Sequence, residues 1–325
     1  MTHHQYRIGV DLMGCDTAPE DLYRAVLALH EEPFPAQIIF FASEEVSGEL
    51  DPAIHVVKSS DVILKEDDPI IAVRRKKDAS LCQGLLFLKE KKIDAFVSAG
   101  NTGALLLAAK TTLKTLPRID RPALLALLPT KKREVAVLDI GANLSLKPDH
   151  LLQLAAMGIA YQKSRGIANP TVGLLNIGTE AKKGTPQLRE AYIKLEAMNR
   201  DTPVFAGNIE GKDVFQGNID VLVTDGFTGN VFLKTAEGIA AFILEELEIS
   251  SRESSFTHLK HELVNLRSRL HYAEYPGAIL CGVNGVVVKC HGDSSPETFV
   301  RGIKGALRLV EHDFLEKIKS QLKNY

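Results

Sequence analysis

Ala95-Phe-Val-Ser-Ala-Gly-Asn-Thr-Gly-Ala-Leu-Leu-Leu-Ala-Ala-Lys-Thr-Thr-Leu113 passes from a short apolar run through a glycine-rich turn into a longer apolar stretch. Ala95 to Ser98 reads as a strand buried on both faces, and Thr102 to Leu113 as the helix that follows it. Around this unit the alternation repeats. Further strands are expected at Arg7 to Asp11, Gln37 to Ala42, Ile54 to Lys58, Leu124 to Leu128, Val135 to Asp139, Val172 to Asn176, Val204 to Ala206, Val221 to Thr224 and Gly285 to Lys289. Helices are expected at Glu20 to His30, Ser80 to Lys91, Asp149 to Ser164, Gln187 to Asn199, Gly229 to Glu248, Phe256 to Tyr272 and Glu297 to Leu322. Strands alternating with helices specify an α/β fold, a doubly wound and mostly parallel sheet covered on both faces. No linker or repeat divides the sequence, so one domain over residues 1–325 is expected, with an amphipathic helical segment protruding around 250–275; ten strands could also split into two lobes sharing a central sheet.

Composition narrows the function. The 325 residues are 45% hydrophobic and 25% charged, enough for a full core and too apolar for a disordered chain. With 39 Lys plus Arg against 41 Asp plus Glu, the net charge is −2, so no general nucleic-acid partner is expected and any anion site must be local. The apolar runs Ala104 to Ala109, Ala123 to Leu128 and Ile239 to Leu244 fall short of the ~20 residues that span a bilayer. Residues Met1 to Gln5 show no secretory pattern, and a soluble, cytoplasmic protein is expected. Cys15, Cys82, Cys281 and Cys290 contain no Cys-x-x-Cys pair and read as reduced thiols.

Chemistry gathers where strands end. The exits read Asp11-Leu-Met-Gly-Cys-Asp16, Ser98 to Ala104, Asp139-Ile-Gly-Ala-Asn143, Asn176 to Gly184, Thr224-Asp-Gly-Phe-Thr-Gly-Asn230 and His291-Gly-Asp-Ser-Ser295. In a parallel sheet these turns share the carboxyl edge, where ligands bind. In the turn from Ser98, Gly100 and Gly103 allow close approach of the backbone, and Asn101 and Thr102 serve as cap or ligand at a helix N-terminus suited to anions. In the turn from Thr224, Asp225 orients a neighbour, Asn230 offers an amide donor, and Thr228 suits a helix cap. Lys182 and Lys183 are either a solvated pair or a compact charge for phosphate. His291 is either structural or a proton donor near neutral pH. Cys290, its neighbour on a strand, should face the other way, which argues against a Cys–His nucleophile pair.

Several chemistries are absent from the sequence. Neither Gly-x-Gly-x-x-Gly after the first strand nor a P-loop motif occurs. His261-Glu262 lacks the second histidine of a zinc helix, since Asn265 stands there, and Ser98 lacks the leading glycine of a nucleophile elbow. No metal and no cofactor are expected.

Taken in order, the turns resemble the phosphate acyltransferase family, which converts acyl carrier protein thioesters and inorganic phosphate to acyl phosphates. The match spans nearly the whole chain and adds Leu174 to Gly178, Gly207-Asn-Ile-Glu-Gly211 and Gly282-Val-Asn-Gly285 to the six exits. Leu12 and Cys15 stand where the family usually has Ala and Gly. The resemblance implies a Rossmann-like three-layer sandwich akin to isopropylmalate dehydrogenases, a homodimer, peripheral attachment to the membrane surface, and delivery of product to a membrane glycerol-3-phosphate acyltransferase. It implies that Lys183, Asn230 and His291 sit at the reaction centre. Phosphate is then expected at Ser98, Gly100, Asn101, Thr102 and Gly103, with Asp139, Asn143, Asp225 and Thr228 completing the substrate site.

In Phe256 to Tyr272 an apolar seam of Phe256, Leu259, Leu263, Leu266 and Leu270 is flanked by Lys260, Arg267 and Arg269. That pattern suits a packed dimer or core helix, or one that meets an anionic membrane or the acidic carrier. Three other activities fit the same fold class: transfer from a coenzyme A thioester, a hydroxyacid dehydrogenase, and a non-catalytic anion sensor.

Overall fold

The computed structural model describes residues 6–31, 34–49, 51, 54–200, 204–253 and 277–323. The expected helix Phe256 to Tyr272 lies outside them. In chain order the elements are β1 (Tyr6–Asp11), α1 (Pro19–Leu27), β2 (Ala36–Ser43), α2 (Glu44–Glu49), β3 (Val56–Ser59), α3 (Pro69–Arg75), α4 (Ser80–Lys89), β4 (Ala95–Ser98) and α5 (Thr102–Leu113). There follow β5 (Ala123–Leu128), β6 (Val135–Leu138), α6 (Pro148–Ser164), β7 (Val172–Leu175), α7 (Pro186–Glu196), β8 (Phe205–Ile209), β9 (Val221–Val223) and α8 (Gly226–Glu253). The chain ends with β10 (Ala278–Cys281), β11 (Val286–Lys289), α9 (Pro296–Glu311) and α10 (Phe314–Leu322).

The structure divides into two compact units, Met1–Pro122 with Tyr275–Tyr325, and Ala123–Glu274. In the first unit the strand order is β3-β2-β1-β4-β11-β10, parallel throughout except that β10 runs antiparallel to β11. Every residue of β4 and β11 is buried, which requires cover on both faces. α4 packs on β1, β2, β3 and β4, and α9 on β1, β4 and β11. Phe41 and Phe96 meet edge to face, with centroids 5.7 Å apart. Each is 0% exposed, and such burial contributes roughly 1.5–3 kcal/mol per ring.

The second unit has the order β5-β6-β9-β7-β8, parallel except that β5 runs antiparallel to β6. Its central helix α6 lies against β6 and β9 and is buried over most of its length, from Leu154 to Gln162 without a break. The α/β class, with mostly parallel strands between helix layers, is as the sequence pattern predicts, and the Rossmann-like three-layer arrangement is as the resemblance implies.

Several local features differ from the sequence reading, among them the short helix α2, which its sequence does not announce. β10 is a further strand, a four-residue apolar run too short to show periodicity, whose place is made by its antiparallel partner. α3 is also additional, although its signal stands in the sequence: Asp68 accepts from the N–H groups of Ile70 and Ile71, and Pro69 occupies the first turn. The single helix expected over Glu297 to Leu322 is two, because Asp313 adopts a left-handed conformation (φ 50°) that ends one helix and starts the next. α8 begins at Gly226, three residues before the expected Gly229.

Candidate functional site

In the first unit, β1, β4 and β11 end level. Asp11 is the register partner of Ser98, and Ser98 of Lys289. Side chains of register partners share a face of the sheet, so three polar groups end the paired stretches 8–11, 95–98 and 286–289, whose other residues are apolar or glycine. Ser98 Oγ donates to Asp11 Oδ2 at 2.8 Å and accepts from the Gly100 N–H at 3.1 Å. The Met13 N–H donates to Asp11 Oδ1 at 3.1 Å. Burial is the main influence on Asp11 and pushes its pKa up to about 6, against hydrogen bonds from Ser80, Ser98 and Met13 and the charge of Lys289. Lys289 Nζ donates to the carbonyls of Ala99, at 3.2 Å, and Cys290. Burial lowers its pKa, opposed by nearby negative groups that include Asp11.

The turn after β4 is built by Asn101. Its Oδ1 accepts from the Ala104 N–H at 3.0 Å, capping α5, and its Nδ2 donates to the carbonyls of Leu64, Lys65 and Asp67 at 3.0–3.1 Å. The amide is therefore spent on holding the turn. The first N–H groups of α5, at Thr102 and Gly103, have no acceptor within the helix. Gly103 is there for packing: a Cβ would stand 2.6 Å from Cγ of Pro69. Nearby, Lys65 Nζ contacts Asp16 Oδ2 at 2.6 Å, and the Asp16 N–H donates to the Gly292 carbonyl at 2.8 Å, joining the β1 exit to the β11 exit. His291 is exposed, whereas Cys290 is fully buried and its thiol is pushed up to about 12 by burial.

In the second unit, Asp139 follows β6 and is 0% exposed. Its Oδ1 accepts from the N–H groups of Leu124, Gly141 and Ala142, and its Oδ2 from the N–H and Nδ2 of Asn143. Burial raises its pKa, yet each of these five partners is a donor, an arrangement that the carboxylate satisfies and the protonated acid does not. α8 starts against this loop. The Gly226 N–H donates to the Asn143 carbonyl at 2.8 Å, and a Cβ on Gly229 would fall 1.9 Å from the Asp139 carbonyl oxygen. Asp225, rather than Thr228, caps α8, because the helix starts earlier than its apolar periodicity suggests. Asp225 Oδ1 accepts from the Thr228 N–H at 2.8 Å, and Oδ2 from the Thr228 hydroxyl at 3.0 Å. Asn230, one turn into α8, is exposed, and its side chain lies beside Gly141.

Lys183 lies on the turn after β7. Asn176 Nδ2 donates to the Lys183 carbonyl at 3.2 Å and to Asn208 Oδ1 at 3.1 Å, and Asn208 Nδ2 donates to the Glu180 carbonyl at 2.9 Å. These bonds fix the backbone of the turn. The Lys183 ammonium stays half exposed, 3.7 Å from Glu180 Oε1.

The six glycine-rich exits thus fall three to a unit, after β1, β4 and β11 and after β6, β7 and β9, and in each unit the three strands are parallel. Lys65, Ser80 and Lys289 were not singled out from the sequence. Lys289 had a visible signal, a lysine closing Val286-Val-Val; Ser80 and Lys65 had none, since their relevance depends on folding over long sequence separations. Among the described residues no group of three or more His, Cys, Asp or Glu is placed to hold a metal ion, and no helix is long and apolar enough to cross a membrane.

Comparison with solved structures shows the same fold in a phosphotransacetylase from Streptococcus pyogenes (TM-score 0.61, 18% identity, 95% of each chain covered). A branched-chain phosphotransacylase from Enterococcus faecalis matches similarly (TM-score 0.62, 14% identity, 94% of this chain and 99% of that one). In sequence, the chain is 38% identical to the phosphate acyltransferase of Chlamydia pneumoniae, covering 98% of this chain and 99% of the relative. It is 39% identical to the phosphate acyltransferase of Clostridium tetani, covering 98% of both. The model of a family described as fatty acid synthesis protein matches residues 6–317. Together these matches make the chain an enzyme of the phosphate acyltransferase family.

Proposed function

We propose that the enzyme transfers a long-chain acyl group from the thioester of acyl carrier protein to inorganic phosphate, releasing acyl phosphate and the carrier thiol for phospholipid synthesis. The observation that carries this reading is the Ser98–Gly103 turn, a rigidly held helix N-terminus suited to an anion, in a chain related over its full length to phosphate acyltransferases. Phosphate is already a nucleophile near neutral pH, and a thiolate is a good leaving group, so no covalent nucleophile is required of the protein. Thr102 and the N–H groups of Thr102 and Gly103 hold phosphate, with Ser98, Gly100 and Asn101 shaping the turn and Lys183 adding charge.

A phosphate oxygen attacks the thioester carbonyl carbon, and the carbonyl oxygen becomes an oxyanion to which Asn230 and His291 donate. The C–S bond then breaks, the electron pair leaves on sulfur, and the thiolate takes a proton. Holding both reactants together removes much of the entropic cost of their encounter. Asp139 and Asn143 support the loop against which Asn230 lies, and Asp225 with Thr228 fixes the start of its helix. We extend the reading to a cytoplasmic homodimer that touches the membrane surface through the segment around 250–275 and passes acyl phosphate to a membrane glycerol-3-phosphate acyltransferase.

The test is incubation with long-chain acyl carrier protein and phosphate, following carrier thiol and hydroxylamine-trappable acyl phosphate together. Equal release of both supports the reading. Turnover of coenzyme A thioesters alone, or thiol release with no trappable product, overturns it.

A further inference from the structure

The ammonium of Lys289 joins the exits of β4 and β11. Lys289 ends β11 and is 7% exposed. Burying an ammonium is costly unless hydrogen-bond acceptors and counter-charge offset it. Here Nζ donates to the carbonyl of Ala99 at 3.2 Å and to that of Cys290, while Asp11, two strands away in register, supplies opposite charge. The two carbonyls are not arbitrary ones. Ala99 immediately precedes Gly100 in the anion-suited turn, and Cys290 immediately precedes His291. Past the last strand pairs, the bond from the Cys290 N–H to the Ser98 carbonyl at 2.9 Å continues the ladder by one step, and the ammonium spans the next. A hydrocarbon side chain of equal length would fill the same space without any donor.

We propose that Lys289 is a positioning residue for the reaction, tying the phosphate-binding turn after β4 to the His291 segment after β11. This deepens the function proposed above and rests on it. It acts through Ala99 and Cys290, so its loss relaxes the N–H groups that face phosphate while leaving the surface that meets the acyl carrier unaltered. A lysine that merely stabilises the fold predicts a different result: lower stability, with both KM values keeping their ratio.

The experiment compares Lys289→Met with the wild-type full chain in steady-state assays, varying phosphate and acyl carrier protein separately. Lys289→Met is expected to raise the phosphate KM about tenfold or more, to leave the acyl carrier KM within about twofold, and to lower kcat. Lys289→Arg, which restores donors and charge, should recover part of the phosphate KM. Lys289→Gln, retaining one amide donor, takes the place of the Met variant if that chain fails to fold. An unchanged ratio of the two KM values in a soluble variant overturns the proposal. Wild-type enzyme that forms no acyl phosphate at all overturns instead the reading on which it rests, and the two failures are distinct.

Discussion

Asp11 and Ser98, the last residues of β1 and β4, are register partners joined by a 2.8 Å hydrogen bond from Ser98 Oγ to Asp11 Oδ2. The bond lies in a fully buried setting, where desolvation outweighs every donor and moves Asp11 from 3.8 to about 6. In the unfolded chain Asp11 loses its proton near its ordinary value, so between about pH 4 and 6 the folded state holds a proton that the unfolded state has released. The contribution to stability is therefore complete below about pH 4 and is lost as pH rises through 6, a difference on the order of 3 kcal/mol. Asp11→Asn cannot ionise. Urea titrations at pH 4, 5, 6 and 7 should show the variant gaining on the wild type as pH rises, by up to about 3 kcal/mol. Parallel profiles would place Asp11 among ordinary carboxylates.

Contact between α8 and the Asp139 loop gives a second prediction. A Cβ on Gly229 meets the Asp139 carbonyl oxygen at 1.9 Å and Thr224 Cγ2 at 2.8 Å, whereas one on Gly238, on the same helix, meets nothing within 4 Å. Gly229→Ala should cost about 2 kcal/mol or more by overpacking, and Gly238→Ala should stabilise by roughly 0.5–1 kcal/mol through helix propensity. Thermal unfolding of the pair checks both signs at once.

Cys290 tests the absence of covalent catalysis. Its thiol is buried and held up at about 12. Iodoacetamide at pH 8 should modify it only after unfolding, and Cys290→Ser should keep most of the activity. An acyl group recovered on Cys290 from the native enzyme would refute the direct attack of phosphate.

For the reaction centre, Lys183→Ala and His291→Ala should each lower acyl phosphate formation by at least about 10², and Asn230→Ala by about 10² to 10³, with circular dichroism unchanged. The three side chains are exposed, which makes such losses readable as chemistry. Wild-type rates in the His291 variant would remove it from the mechanism.

Asn101→Ala should behave differently from these. It loses a helix cap and the donor to three carbonyls, so stability should fall by about 1–3 kcal/mol as the phosphate KM rises. Thr102→Ala, without those bonds to lose, should raise the phosphate KM alone. Matching calorimetric and kinetic measurements separate the two.

The α/β alternation and the chemistry of the strand exits are legible in the residue pattern alone. Val135 to Leu138 and Val286 to Val288, short, rich in valine and bounded by turn residues, read as buried strand, and glycine beside Asn, Asp, Ser or Thr after such a run reads as a turn. Those are local facts of apolar period and backbone freedom. What each polar residue does there depends on the partners that folding brings to it. Asn101, an open choice between cap and ligand in the sequence, spends its amide on Leu64, Lys65 and Asp67, more than thirty residues away. Asp225 takes the cap that Thr228 suggested, because packing against Asn143 starts α8 earlier than its periodicity does. Lys289 becomes a buried tie only because β11 enters beside β4, nearly two hundred residues before it in the chain. Hydrogen-bond donors and acceptors are specified by residue type, but their partners are set by register between distant strands, and register is a property of the folded sheet.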